Sequence, residues 1–181
     1  MRRWQRMDPW GVGQVLTGFM FATGSVLTVT TVVFAGRALI RGEVDVRTAL
    51  GMAGGLTVMG VWLTLVLRMH LAGIYVNDRG VRLRHLFSTR TLPWSQVTRF
   101  EARPALFLGG PTSRLACWVR TTDGAFESAV QRRSRSGGWR KNNGPVLAVA
   151  DFDQLLVRLA EQHAARGRAG GRLDSRGAAS R

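Results

Sequence analysis

Two long stretches near the start of the chain carry no charged side chain. The first covers residues 11–36 (GVGQVLTGFMFATGSVLTVTTVVFAG) and the second residues 48–67 (TALGMAGGLTVMGVWLTLVL). A helix rises about 1.5 Å per residue, so roughly 20 residues cross a hydrocarbon layer about 30 Å thick. Both stretches are long enough. Many of their residues are β-branched, among them Val26, Thr28, Val29, Thr30, Thr31, Val32 and Val33. In lipid a helix satisfies its own backbone groups, so these residues need not prevent one, and threonine hydroxyls return hydrogen bonds to carbonyls one turn back. The pattern predicts two transmembrane helices at about 11–36 and 48–67. A cleaved signal peptide fits the basic start (Arg2, Arg3, Arg6), but the apolar stretch far exceeds the about 7–15 residues of a signal core. Two buried helices of a soluble protein would need the rest of the chain as a wrapper, and that rest is rich in arginine and turns.

Beyond residue 70 the period changes. Residues 71–77 (LAGIYVN) read as a strand, and Asp78-Arg79-Gly80 turns the chain. In residues 81–86 Val81 and Leu83 alternate with Arg82 and Arg84, which places the arginines on the opposite face. Further strands are predicted at 89–93, 97–102, 114–121, 124–131 and 146–149, with a hairpin turning at Asp123-Gly124. Asp151 and Gln154 have the form of a capping box. Phe152, Leu155, Leu156 and Leu159 then make one apolar helix face, with Gly167 as its stop. Residues 168–181 are Gly, Ala, Ser and Arg with one Leu and one Asp, a composition that predicts disorder. The domain plan is an N-terminal tail with two spans (1–70), a β-rich domain (71–166) and a disordered basic tail (167–181).

The formal charge is +15, although 45% of the residues are hydrophobic. Apolar residues and charge are therefore segregated along the chain. Such a balance points to anionic partners. It also orients the spans. Arg2, Arg3 and Arg6 precede the first, the loop between them holds Arg37, Arg41 and Arg47, and Arg68, Arg79, Arg82 and Arg84 follow the second. The last group breaks the tie, which places both termini in the cytoplasm and makes the protein a multi-pass component of the inner (plasma) membrane. Trp4 and Trp10 suit an interfacial position. Gly51 and Gly55 form a GxxxG, a spacing that lets helices approach closely, and are the candidate helix-packing residues.

Little in the chain resembles a catalytic centre. His70, His85 and His163 are scattered, Cys117 is the one cysteine, and no metal, nucleophile or nucleotide motif is present, so no cofactor is expected. Cys117, in alternation with Leu115 and Val119, reads as core. The candidate binding residues are Arg82 and Arg84 on the early hairpin, with Arg132, Arg133, Arg135, Arg140 and Lys141 in a basic stretch around Trp139. Each charge close to an anionic leaflet is worth about 1 kcal/mol. Nucleic-acid binding is disfavoured, because no helix-turn-helix or aromatic pairing on a sheet face is evident.

The segments Gly73-Ile-Tyr-Val-Asn-Asp-Arg-Gly-Val-Arg82 and Thr91-Leu-Pro-Trp-Ser-Gln-Val97 resemble the bacterial pleckstrin-homology-like (PH-like) membrane proteins, particularly the low-molecular-weight antigen 6 type. The "dGv" hairpin, the "pW..v" element and two preceding spans carry the likeness. It implies an α+β domain, a PH-like antiparallel β-barrel or sandwich closed by a C-terminal helix, with no catalytic signature. The expected function is a non-enzymatic, membrane-anchored binding or scaffolding module that docks proteins or anionic lipid. The competing expectation is an accessory subunit of a larger envelope complex, assembled through the hairpin.

Overall fold

The structure is a computed structural model. It describes residues 3–42, 44–107, 109–133, 142 and 145–178, of which 167–178 are described by their backbone alone. The chain divides into two compact units. Gly13–Leu71 is one; Met1–Val12 and Ala72–Arg181 together form the other.

The first unit is a pair of helices, α1 (Val12–Ile40) and α2 (Val46–His70). Both are long and apolar enough to cross a membrane. Their β-branched content is accommodated as expected: Ser25, Thr28, Thr30, Thr31, Thr57 and Thr64 each donate to the carbonyl four residues back. Asp45 caps α2, accepting from the Arg47 backbone N–H and from the Thr48 hydroxyl. The Thr48 hydroxyl holds the Asp45 carboxyl below its ordinary range. In their most apolar windows α1 is 11% buried and α2 6%. Core helices of a soluble protein would be mostly covered, so the pattern of exposure opposes that reading.

The second unit holds two four-stranded sheets and one helix. Sheet A has the order β1 (Gln5–Arg6), β2 (Gly73–Val76), β3 (Gly80–Arg84), β4 (Thr89–Pro93), all antiparallel. Sheet B has the order β5 (Val97–Phe107), β6 (Gly110–Thr121), β7 (Gly124–Arg132), β8 (Val146–Leu147). The last pair is parallel, with Gln131 beside Val146. Helix α3 (Val149–Ala178) follows. One core joins all three: Ile74, Val81 and Leu83 from sheet A, Val119, Val130 and Leu147 from sheet B, and Phe152, Leu155 and Leu159 from α3. Among the described residues the strands form two four-stranded sheets, and of the two expected forms, barrel or sandwich, no ladder closes them into a barrel.

Several expectations change in detail. Residues 3–12 belong to the β-rich unit, and two of them form its first strand, where the sequence suggested a simple tail. The hairpin of β5 and β6 is longer than predicted at its tip. The last strand is shorter than 146–149, and α3 begins at Val149, so Asp151 lies in its first turn and is no N-cap. The reason is Asn142, whose Oδ1 accepts from Ala148 N–H at 2.7 Å and whose Nδ2 donates to the Asp151 carboxylate at 2.8 Å. Gly167 does not end α3, whose described backbone runs on to Ala178.

Candidate functional site: an arginine and aromatic face on sheet A

Period-two alternation in β2 and β3 sends Ile74, Val76, Val81 and Leu83 inward and leaves Tyr75, Arg82 and Arg84 half-buried on the other face. Register places Tyr75 opposite Arg82 on one side and opposite Arg6 on the other. The result is a set of stacked cations and rings. Arg84 lies 5.1 Å from the centre of the Tyr75 ring, Arg6 lies 5.9 Å from the same ring and 5.0 Å from Trp10, and Arg82 lies 4.2 Å over Trp4. Arg82 Nε also donates to the Thr91 hydroxyl at 3.2 Å. A guanidinium lying on a ring keeps its charge and is held in one orientation.

These arginines differ in compensation. Arg6 pairs with Asp8 at 2.6 Å; Arg99 and Arg103 share Glu101, and Arg166 reaches Asp78. Among the described residues neither Arg82 nor Arg84 has a carboxylate within ion-pair distance. The face therefore presents two held, uncompensated cations.

The other predicted group is placed elsewhere. Arg132 ends β7 and approaches Asp153 of α3 at 4.0 Å. The backbone N–H of Arg133 donates to Leu147 O at 2.9 Å. Both follow sheet B, apart from the Arg82 and Arg84 strand. Arg135, Arg140 and Lys141 lie outside the described residues. The helix-packing glycines need correction: within the hairpin a Cβ on Gly51 or Gly55 would meet nothing within 4 Å. The close approach is at Gly24, where a Cβ would come within 2.6 Å of Trp62 and 2.9 Å of Leu63. The indole of Trp62 occupies that notch, and a groove of about 650 Å³ lined by Phe19, Met20, Leu27, Gly55 and Met59 runs beside it.

The residues with reactive potential are occupied structurally. His70 Nδ1 lies 3.0 Å from Gln14 O, His85 Nε2 lies 2.8 Å from Glu127 O, and His163 Nε2 lies 2.8 Å from Val97 O. His163 also packs against Trp94 and Phe100. Trp94 Nε1 donates to Asn77 O at 2.8 Å, and Asn77 Oδ1 receives the Arg79 and Gly80 N–H groups. The tryptophan thus braces the first hairpin turn. Cys117 is fully buried, and burial pushes its thiol up to about 12. Among the described residues no group of three His, Cys, Asp or Glu side chains is placed to hold a metal.

Alternation in the sequence places Arg82 and Arg84 on one strand face, but nothing in it indicates the ring partners or Arg6. Trp4 and Trp10 read as interfacial anchors, and nothing local to residues 4–6 signals a strand whose partner lies about 70 positions away.

A family model described as Bacterial PH domain matches residues 73–172. No curated protein and no solved structure matches the chain.

Proposed function

From the premise that this chain belongs to the bacterial PH domain family, we propose that it is a membrane-tethered, non-enzymatic binding module at the cytoplasmic leaflet, docking anionic lipid through the Arg82 and Arg84 face. PH domains are in general binding modules. The observation that carries the tethering is strand β1. Gln5 pairs with Val76 and Arg6 with Tyr75, so the segment before the first apolar helix is built into the domain after the second. A chain that leaves one side and returns to it crosses the membrane an even number of times. Two helices of spanning length supply that number. The arginines on this side, Arg3, Arg6, Arg68, Arg79, Arg82 and Arg84, favour the cytoplasm.

The lipid part is tested with the full chain in nanodiscs of neutral phosphatidylcholine, offered vesicles rich in phosphatidylglycerol. Each charge near an anionic surface is worth about 1 kcal/mol, so Arg82→Gln with Arg84→Gln lowers capture roughly tenfold or more. Capture unaltered by the pair rules out this face as the contact.

A second reading, an accessory subunit of an envelope complex, draws support from Gly51, Gly54 and Gly55, which α1 leaves uncovered. In that case Gly51→Leu and Gly55→Leu would cost a stoichiometric partner during purification in mild detergent while leaving vesicle capture intact.

A further inference from the structure

Sheet register places one turn of the domain at the end of sheet A where the chain enters β2. Gly73 pairs with Arg84, and Arg84 pairs with Thr89, so the β3–β4 turn (85–88) and Gly73 share one end of sheet A. Gly73 follows His70, the last residue of α2, by only three positions. The side chain at the exposed corner of that turn is Phe87, 78% accessible. Beside it lies the tip of the β5–β6 hairpin. Phe87 and Leu106 line the same cleft, of about 710 Å³, and Phe107 next to Leu106 is 71% accessible.

The two elements are held together through Glu127. Its carbonyl oxygen is 2.8 Å from His85 Nε2, and its carboxylate oxygens each accept from Leu106 N–H at 3.2 Å. The apolar corner is therefore a fixed feature of the fold, assembled from two strands' ends. Arginines lie near it: Arg90 lines the same cleft, 4.1 Å over the Phe126 ring, and Arg114 is on β6, while Arg103 of β5 is paired with Glu101. Exposed aromatic and aliphatic side chains rimmed by arginine match a bilayer interface, where rings enter the acyl boundary and cations meet phosphate.

We infer that Phe87, Leu106 and Phe107 form a wedge that inserts into the leaflet crossed by the chain's own helices, setting the domain against the membrane. This rests on the tethered reading above. The occupant is argued from position: the wedge is at the sheet end that continues into the span, and its rim carries the charge that complements anionic lipid.

The full chain in phosphatidylcholine–phosphatidylglycerol vesicles, with Cys117 left in place because a buried thiol pushed up to about 12 does not label, provides the test. Single cysteines replace Phe87, Phe107, Asp123 or Val58, each carrying an environment-sensitive fluorophore. Asp123 is the reference for water. It sits in the β6–β7 turn, and β5, with 11 residues, spans roughly 35 Å at about 3.3 Å per residue between that end and the Phe107 tip. Val58, in α2, is the reference for lipid. The expected result is quenching of the Phe87 and Phe107 labels by a lipid carrying a shallow nitroxide, at least threefold above the Asp123 label, with iodide quenching reduced by a similar factor. Labels at 87 and 107 that respond to iodide like Asp123 overturn the wedge. Protection from both quenchers overturns it also, since the corner would then be covered by protein. In either case a lipid-quenched Val58 label leaves the tethered reading standing, whereas an iodide-quenched Val58 label removes both.

Discussion

Asp8 accepts a hydrogen bond from the backbone N–H of Ile74 at 2.9 Å, across 66 residues that include both apolar helices. The same carboxylate, fully buried, pairs with Arg6, whose side chain is 10% exposed and which also donates to Ala72 O at 2.8 Å. Met7 N–H completes the clasp on Ile74 O. Three groups that burial would otherwise leave unpaired, a carboxylate, a guanidinium and a strand N–H, thus satisfy one another. The effect is to fasten the beginning of the chain to the start of β2.

Removing one member of a buried pair strands the other. Asp8→Ala leaves the Ile74 N–H without its acceptor and Arg6 without its carboxylate, and the expected cost is about 3 kcal/mol. Denaturant unfolding of the reconstituted protein, followed by the fluorescence of domain tryptophans, checks this. Asp8→Asn retains an acceptor for Ile74 and loses the charge, so its midpoint falls between the two.

Gly80 tolerates no side chain. A Cβ there would lie 2.1 Å from Leu92 O and 3.0 Å from the Pro93 Cα, both of them backbone atoms of the paired strand. No rotamer change relieves that overlap, so Gly80→Ala forces β3 and β4 apart. Overpacking costs about 1–3 kcal/mol or more, read as a lower unfolding midpoint. Gly124→Ala is the informative contrast: its added atom meets nothing within 4 Å, although its φ of 153° already strains an L residue.

Within the hairpin the sizes reverse. Gly24→Leu collides with Trp62 and Leu63 and separates α1 from α2, while Gly51→Leu extends into open space. A distance measurement between spin labels on the two helices is expected to lengthen by several ångströms for the first and to stay unchanged for the second. Equal responses would place the helix contact elsewhere.

Cys117 gives a pH signature. Its thiol is pushed up to about 12 from an ordinary 9.0, chiefly by burial; a bond to Ser128 opposes the shift and the charge of Asp8 adds to it. Because the unfolded thiol ionises first, the stabilisation is complete below about pH 9 and is lost as pH rises from there toward 12. The fall in unfolding temperature above pH 9 is therefore expected to be shallower for Cys117→Ala than for the native chain. A thiol reagent at pH 8 reacts with Cys117 only on addition of denaturant.

What the chain discloses on inspection follows the range of the forces involved. Uncharged runs mark α1 and α2 to within a few residues, because solvation acts on each residue separately. Val81 and Leu83 against Arg82 and Arg84 fix the faces of β3 for the same reason. The Trp94 motif is visible as letters, but its physical role, an indole N–H bonded to Asn77 O, needs the turn in place. Least visible are contacts set by distant pairing. Strand β1 is two residues long, too short for a period, and its partner lies beyond both helices. Without it Trp4, Arg6 and Trp10 cannot be assigned to the face that holds Arg82 and Arg84. Asn142 likewise moves the start of α3 from a loop position that no local pattern selects. The glycines of α2 mislead for a related reason: spacing shows that Gly51 and Gly55 permit contact, while the ring of Trp62 decides that contact occurs at Gly24.

On the tethered reading proposed above, the clasp between Asp8 and Ile74 requires that residues 3 and 123 lie on the same side of the membrane and residue 41 on the other. Single cysteines replacing Arg3, Arg41 and Asp123 in the full chain, exposed to an impermeant maleimide in right-side-out and in inverted membrane vesicles, measure it. The account predicts labelling of 3 and 123 in inverted vesicles and of 41 in right-side-out ones. Labelling of 3 and 123 from opposite faces, or of all three from the same face, contradicts it.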